Sequence, residues 1–327
     1  MSRRLTVRAE DWPLREPFVI SRMRQDEAAV LAVEIAEGTA LGRGEADRSE
    51  EGGDRPLLAA EIERVRGEIE AGAGRARLAE LLPPGPARSA LDCALWDLEA
   101  KLSGRPAAEA AGVAPMQPVT TVFTIGLGTP EAMGAAARAN AARPVLKLKL
   151  GRPEGDLERV RAVREGAPAA RISVDANTGW TREQLVALLG PLRELGVELV
   201  EQPFPVGREA AMEGIERLIP VAADESCTDR ASMARLAGRF DYVNIKLDKA
   251  GGLTEALALA DAAEAAGMGI MVGCNLGTSL AMAPGMLLAQ RAAFVDLDGP
   301  LLLARDREPG LGYEGSVIRP PEPALWG

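Results

Sequence analysis

VLKLKLG, residues 145–151, sets Lys147 and Lys149 two positions apart, with Leu146, Leu148 and Leu150 alternating around them. In an extended strand successive side chains point to opposite faces. Both lysines therefore share one face and the three leucines share the other. Segments of the same kind recur on either side. VTTVFTIG (119–126) precedes it, and RISVDAN (171–177), ELVEQP (198–203), PVAADES (220–226), YVNIKLD (242–248), GIMVGCN (269–275) and FVDLDG (294–299) follow. Each of these eight runs begins roughly 20 to 30 residues after the last, the pitch of a strand, a helix and two short loops. Alanine-rich helical stretches fill the gaps, among them Asp156–Glu165, Arg182–Leu195, Ser232–Leu236 and Thr254–Ala266. Eight parallel strands joined by crossover helices predict an α/β fold of one kind: a closed (β/α)8 TIM-type barrel over residues 116–303, not a doubly wound sheet.

Residues 1–115 read differently. Two β-rich runs, Leu5–Val7 and Ala29–Ile35, flank a loop holding Arg22 and Arg24, and the second continues through a turn to Ala40–Gly44. That order predicts an antiparallel meander. Helical patterning follows over Leu57–Ala71 and Ala87–Leu102, where Leu91, Leu95 and Leu98 fall at helical spacing. The segment is α+β in character. The Pro- and Gly-rich tail, 304–327, is expected to return and pack beside it.

Composition narrows the chemistry. The 327-residue chain contains no histidine. This removes Ser-His and Cys-His nucleophiles, histidine-ligated zinc and any histidine base. Cys93, Cys227 and Cys274 are widely spaced and form no CxxC pair, so neither a disulfide framework nor a structural zinc site is expected. A net charge of −10 disfavours nucleic acid and anionic membrane surfaces as partners. The opening residues lack the apolar stretch of a signal peptide, and no segment is long and apolar enough to span a bilayer, so a cytoplasmic location is expected.

Catalysis must then use carboxylates, lysines and a hard cation. Asp175 ends the third run, Glu201 the fourth and Asp224 lies at the end of the fifth. The C-terminal ends of barrel strands face one mouth, so three successive strands set three carboxylates side by side. A lone acid at a strand end is commonly a helix cap; three in succession would repel one another without a cation between them. All-oxygen ligands suit Mg²⁺ first and Mn²⁺ second. Lys246 sits on the sixth run, diametrically opposite the second, so two lysines would face each other across a metal-bound substrate. A cation on a substrate carboxylate stabilises the enolate formed when the adjacent carbon loses its proton. One lysine can take that proton from one face and the other return it from the opposite face. Lys149 is assigned as one base and Lys246 as the opposing acid/base. Lys147 is its charged neighbour, lowering the pKa of Lys149, or else a contact to the substrate carboxylate. On the eighth run Asp296 and Asp298 share a face; they form a solvated turn or hold a cationic group such as an α-ammonium.

Taken together, the lysine pair 147/149, VDAN around Asp175, EQP at Glu201, ADES around Asp224, NIKLDKAGG around Lys246 and DLDG at 296–299 resemble the enolase superfamily, muconate-lactonising subgroup. DLDG and the stretch WPLREPFVISR resemble the dipeptide epimerases, best known for L-Ala-D/L-Glu epimerisation. The resemblance implies Mg²⁺ on Asp175, Glu201 and Asp224, lysine bases on strands two and six, and an N-terminal α+β capping domain closing over the mouth. It also implies a dipeptide substrate with its α-ammonium on Asp296 and Asp298, and it allows a homo-oligomer. Arg22 and Arg24 become candidates for an acidic substrate side chain. The acidic stretch from Glu45 to Glu51 departs from the Ala-Glu pattern, reading as a solvated charge run or as a shift of preference away from glutamate. The rival enzymes on this scaffold are o-succinylbenzoate synthase, muconate cycloisomerase and N-acylamino acid racemase. Their substrates lack the free ammonium. A catalytically silent metal-binding scaffold would leave lysines idle in a barrel lumen. The histidine-dependent mandelate-racemase branch is excluded.

Overall fold

The structure is a computed structural model that describes residues 3–47, 55–152 and 154–327. Three antiparallel strands open the chain: β1 (Arg3–Val19), β2 (Arg24–Glu37) and β3 (Ala40–Ala46). The first is far longer than its apolar run suggested, because polar residues on its exposed edge carry the pairing onward to Val19. β2 is apolar on both faces for a reason. Leu31, Val33 and Ile35 pack towards the helices of this domain, while Ala28 and Val30 pack against Leu276 and Leu303 of the barrel. The helix expected over Leu57–Ala71 is two, Arg55–Arg64 and Arg66–Glu70, and a further helix, Arg75–Leu81, precedes the long one, Pro86–Ser103. β3 lies directly on that long helix. A Cβ at Gly42 or Gly44 would overlap the carbonyl oxygens of Ala94 and Ala90; glycine is what allows the approach.

β4 (Val119–Thr120) leads into the barrel strands β5 (Phe123–Ile125), β6 (Val145–Lys149), β7 (Arg171–Asp175), β8 (Val197–Glu201), β9 (Val221–Ala223), β10 (Tyr242–Lys246), β11 (Gly269–Gly273) and β12 (Phe294–Val295). All eight neighbours run in sequence order, and the pairings are parallel. The seam between β12 and β5 is stitched by Val122 N–H donating to Val295 O at 2.9 Å and by Leu297 N–H donating to Thr121 Oγ1 at 2.9 Å. The predicted (β/α)8 barrel is thus the fold. Leu199, Ala222 and Met271 plug its lumen with Tyr242 and Phe294. Outward-facing Leu146, Leu148, Ile172, Val174, Val243 and Ile245 pack against the surrounding helices.

Two expectations need correction. After the fourth strand the expected helix is only a 3-10 turn, Glu209–Met212, whereas the fifth unit carries its short helix where Ser232–Leu236 was expected, a 3-10 turn, Arg230–Ser232, running into Met233–Leu236. The first run also divides. Its Val119–Thr120 end leaves the barrel to pair with the tail hairpin β13 (Tyr313–Glu314) and β14 (Val317–Ile318). The rest of the tail reaches the N-terminal domain. Ala304 N–H donates to Pro13 O at 2.8 Å, Trp326 Nε1–H to Cys93 O at 3.0 Å, and Gly327 N–H to Asp97 Oδ1 at 2.7 Å. Among the described residues no helix is long and apolar enough to cross a membrane.

Candidate active site

Alternation along the strands and the parallel register deliver the polar residues to one rim. Lys149 pairs in register with Asp175, and Asp175 with Glu201, each the last residue of its strand. Asp224 follows β9 directly and Lys246 closes β10. All five are buried, as are Lys147 and Asp296. One carboxylate oxygen from each of Asp175, Glu201 and Asp224 lies within 4.8 Å of the others.

The ammonium groups are threaded through these acids. Lys149 Nζ donates to Asp175 Oδ2 at 2.7 Å, and Lys246 Nζ lies 3.1 Å from Asp224 Oδ2. The two lysines thus approach the acid triad from its opposite flanks, strand two and strand six of the barrel. Lys147 Nζ is central, 2.7 Å from Glu201 Oε2, 2.7 Å from Asp296 Oδ2 and 3.3 Å from Asp175 Oδ2. Burial alone would depress the Lys147 ammonium, but Asp296, Glu201, Asp175 and Asp224 outweigh it and hold the group well above the ordinary lysine range. Carboxylates thus dominate the surroundings of Lys147.

The acids divide in the same way. Burial raises Glu201, reinforced by Asp175, and pushes its carboxyl up to about 8. Burial also opposes ionisation of Asp175 and Asp224, yet Lys149 and Lys147 lower the first, and Lys246, Lys249 and Lys147 hold the second well below the usual carboxylate range. Glu201 Oε2 and Asp224 Oδ2, although near ammonium groups, accept no well-formed hydrogen bond. A triad of buried oxygens, two of them orphaned and one acid pushed towards neutrality, is a donor set that fits a hard divalent cation.

Several residues that sequence reasoning passed over support this set. Asn244 Nδ2 donates to Glu201 Oε1 at 2.7 Å; it lies two positions before Lys246, so the alternation that found the lysine could have found it. A Cβ at Gly273 would strike the Asn244 amide, so the glycine keeps that bond possible. Gln202 spans two strand ends, accepting from Asp224 N–H at 2.8 Å and Ser226 N–H at 3.1 Å while donating to Phe204 O and Ser226 Oγ. Lys249, just after strand six, grips Asp224 through Oδ1 at 2.5 Å and through its carbonyl. Left-handed backbone at Asn177, Thr178 and Gln202, all non-glycine, marks the loops beside Asp175 and Glu201 as strained.

The remaining candidates separate. Asp298 accepts from Thr124 N–H at 2.6 Å beside Asp296, and burial together with that neighbour pushes its carboxyl up to about 7. It is buried, which removes the solvated-turn alternative. Arg22 pairs with Glu225 at 2.7 Å, the residue next to Asp224. Arg24 is already on β2 and pairs with Asp26 at 3.0 Å on an exposed surface, so the structure does not bring it to the cluster. The acidic stretch is also corrected in part. Glu45 is buried, accepting from Thr278 N–H at 2.7 Å and pairing with Arg307 at 2.7 Å, and Asp47 is buried too; Arg48 to Glu51 lie outside the described residues.

Residues 132–316 match the family described as enolase C-terminal domain-like, and residues 2–112 match the mandelate racemase / muconate lactonizing enzyme N-terminal domain. The chain belongs to the enolase superfamily. Within the superfamily it groups with the dipeptide epimerases, as three relatives illustrate. The L-Ala-D/L-Glu epimerase of Escherichia coli is 42% identical, the match covering 95% of this chain and 98% of that one. A crystal structure of an enolase family member from Agrobacterium tumefaciens with homology to dipeptide epimerases, bound to sodium and L-Ala-L-Glu, superposes with a TM-score of 0.97 at 47% identity, over 99% of this chain and 100% of that one. The dipeptide epimerase from Methylococcus capsulatus, complexed with Mg and L-Arg-D-Lys, superposes with a TM-score of 0.90 at 36% identity, over 98% of each chain. The superfamily's N-terminal and barrel domains are therefore both present, and the buried acids and lysines lie at the barrel mouth between them.

Proposed function

We propose that the protein is a divalent-cation-dependent dipeptide epimerase that inverts the α-carbon of the C-terminal residue by proton transfer between two lysines, with L-Ala-D/L-Glu-type dipeptides as substrates. The observation that carries this reading is the flanking of one buried acid triad by Lys149 and Lys246 from opposite strands. Asp175, Glu201 and Asp224 would hold the cation, Mg²⁺ first and Mn²⁺ second. When bound, it supplies the positive charge that acidifies the carbon next to the substrate carboxylate.

The chain's own residues do the rest. Lys149 removes or returns the proton on one face of the α-carbon and Lys246 on the other. Lys147, held charged by its acids, steadies the substrate carboxylate. Asp296 and Asp298 accept the α-ammonium. Arg22 sits at the mouth where an acidic side chain would be read, and a glutamate there would compete with Glu225 for the guanidinium. A lyase or an N-acylamino acid racemase would bring no ammonium to the buried aspartates. The fold and the small-molecule site do not involve nucleic acid or membrane in this reading, and three free cysteines accord with a reducing, cytoplasmic setting.

The test is a dipeptide library in deuterium oxide, followed by NMR at the α-carbon of the C-terminal residue, with Mg²⁺ and after chelation. Free-amine dipeptides ending in an acidic residue should take up deuterium and invert only with the metal present. An absence of exchange with every dipeptide would overturn the reading.

A further inference from the structure

Asn275 lies just beyond the end of β11, two positions after Gly273. The residue is 5% exposed, and neither Nδ2 nor Oδ1 has a hydrogen-bond partner. Other polar groups of the site lack a partner at one atom; Asn275 is the side chain, among the described residues, in which both ends of the amide are left unpaired. Burying an amide with both ends unpaired is costly and calls for a partner that arrives from outside. The amide lines a small cavity, about 20 Å³, together with Lys246, Cys274 and Leu297. That is room for a single small polar group and not for a side chain.

Order around the rim identifies the group. Lys246 ends strand six, Asn275 follows strand seven, and Asp296 and Asp298 follow on strand eight. On the reading proposed above, strand six serves the reacting α-carbon and strand eight the α-ammonium. What lies between those two points in a dipeptide is its peptide bond. A peptide bond offers one donor and one acceptor, the complement of a carboxamide. We infer that Asn275 recognises the substrate peptide bond through its N–H, which Oδ1 accepts, and so selects amide-linked substrates over esters, which lack that donor. This inference rests on the epimerase reading and adds a specificity residue to it.

The experiment is a cycle of two enzymes and two substrates, using the full-length metal-loaded protein. Wild type and Asn275→Leu are each assayed with L-Ala-L-Glu and with the ester analogue in which L-2-hydroxyglutarate replaces the glutamate. Wild type should prefer the amide by about ten- to a hundredfold in kcat/KM beyond the preference shown by Asn275→Leu, the range expected for a buried polar group left unpaired. The intrinsic difference in acidity between ester and amide cancels in the ratio. Thermal unfolding without substrate supplies the second readout. Asn275→Leu should melt higher than wild type, since it removes two unpaired polar atoms. An equal amide preference in both enzymes, with an unchanged or lower melting temperature, would assign the amide to a structural water and overturn the inference. Should Asn275→Leu fail to fold, Asn275→Ala carries the same cycle. If wild type epimerises neither substrate, the epimerase reading itself fails, a result distinct from loss of coupling.

Discussion

The barrel rim and the N-terminal domain both carry charged residues, yet those charges behave in opposite ways. At the rim, strand alternation and register with a neighbouring strand place the decisive charges: Lys149 against Asp175, Asp175 against Glu201. In the N-terminal domain the charges sit at turns and strand ends. Their direction there depends on which distant segment happens to pack over them. Glu45 points inward to Thr278 and Arg307, whereas Arg24 points out to Asp26. The lesson is that period two converts sequence into position only where pairing on both sides removes the freedom to slip.

The largest effect that could break this contrast concerns Glu45. If it is an anchor between domains, Glu45→Ala leaves Arg307 with one of its two carboxylates and leaves the Thr278 N–H and hydroxyl without their acceptor. A stability loss of about 3 kcal/mol is expected in urea unfolding, as for other buried pairs cut on one side. A loss under about 0.5 kcal/mol would return Glu45 to the solvated charge run suggested by its neighbours.

A smaller effect sharpens the rim side. The Asp298 carboxyl is pushed up to about 7 by burial and Asp296. Only the carboxylate can hold an ammonium, so affinity for a free-amine dipeptide is full above that value and is lost as pH falls through it. KM should rise by up to about tenfold per pH unit below 7. In Asp298→Asn it should be high and flat across the same range. A wild-type KM independent of pH between 5 and 8 would remove Asp298 from ammonium binding.

The smallest effect separates the two arginines. Arg24→Ala should change kcat/KM for L-Ala-L-Glu by less than about twofold, as befits an exposed pair. Arg22→Ala should raise KM for that substrate several-fold, with less effect on a dipeptide ending in an apolar residue. Reversal of this order would show that the hairpin turns over on binding.

How far the sequence could be read follows from the same physics. The barrel was legible because eight apolar runs repeat at a near-constant pitch, and the acids and lysines were legible because each closes such a run. Asn244 was missed although it obeys the same alternation, since a neutral amide attracts less notice than a lysine. Gln202 and Lys249 could not be placed, because their partners lie on neighbouring strand ends and are set by loop conformation, left-handed at Gln202. The fourth helix is shorter than its sequence suggests because local propensity favours a helix, while the space between neighbouring units decides whether one fits. The division of the first run, with Val119–Thr120 given to the tail, depends on a contact nearly 200 residues away in the chain.

The claim on which the rest depends is that Lys149 and Lys246 serve opposite faces of one carbon. Deuterium uptake by each pure epimer, measured separately in Lys149→Ala and Lys246→Ala with Mg²⁺ present, tests it most directly. Each variant is expected to exchange the α-hydrogen of one epimer only, the two variants choosing opposite epimers, with inversion reduced about a thousandfold or more in both. Exchange of the same epimer by both variants, or inversion surviving in either, would contradict the account.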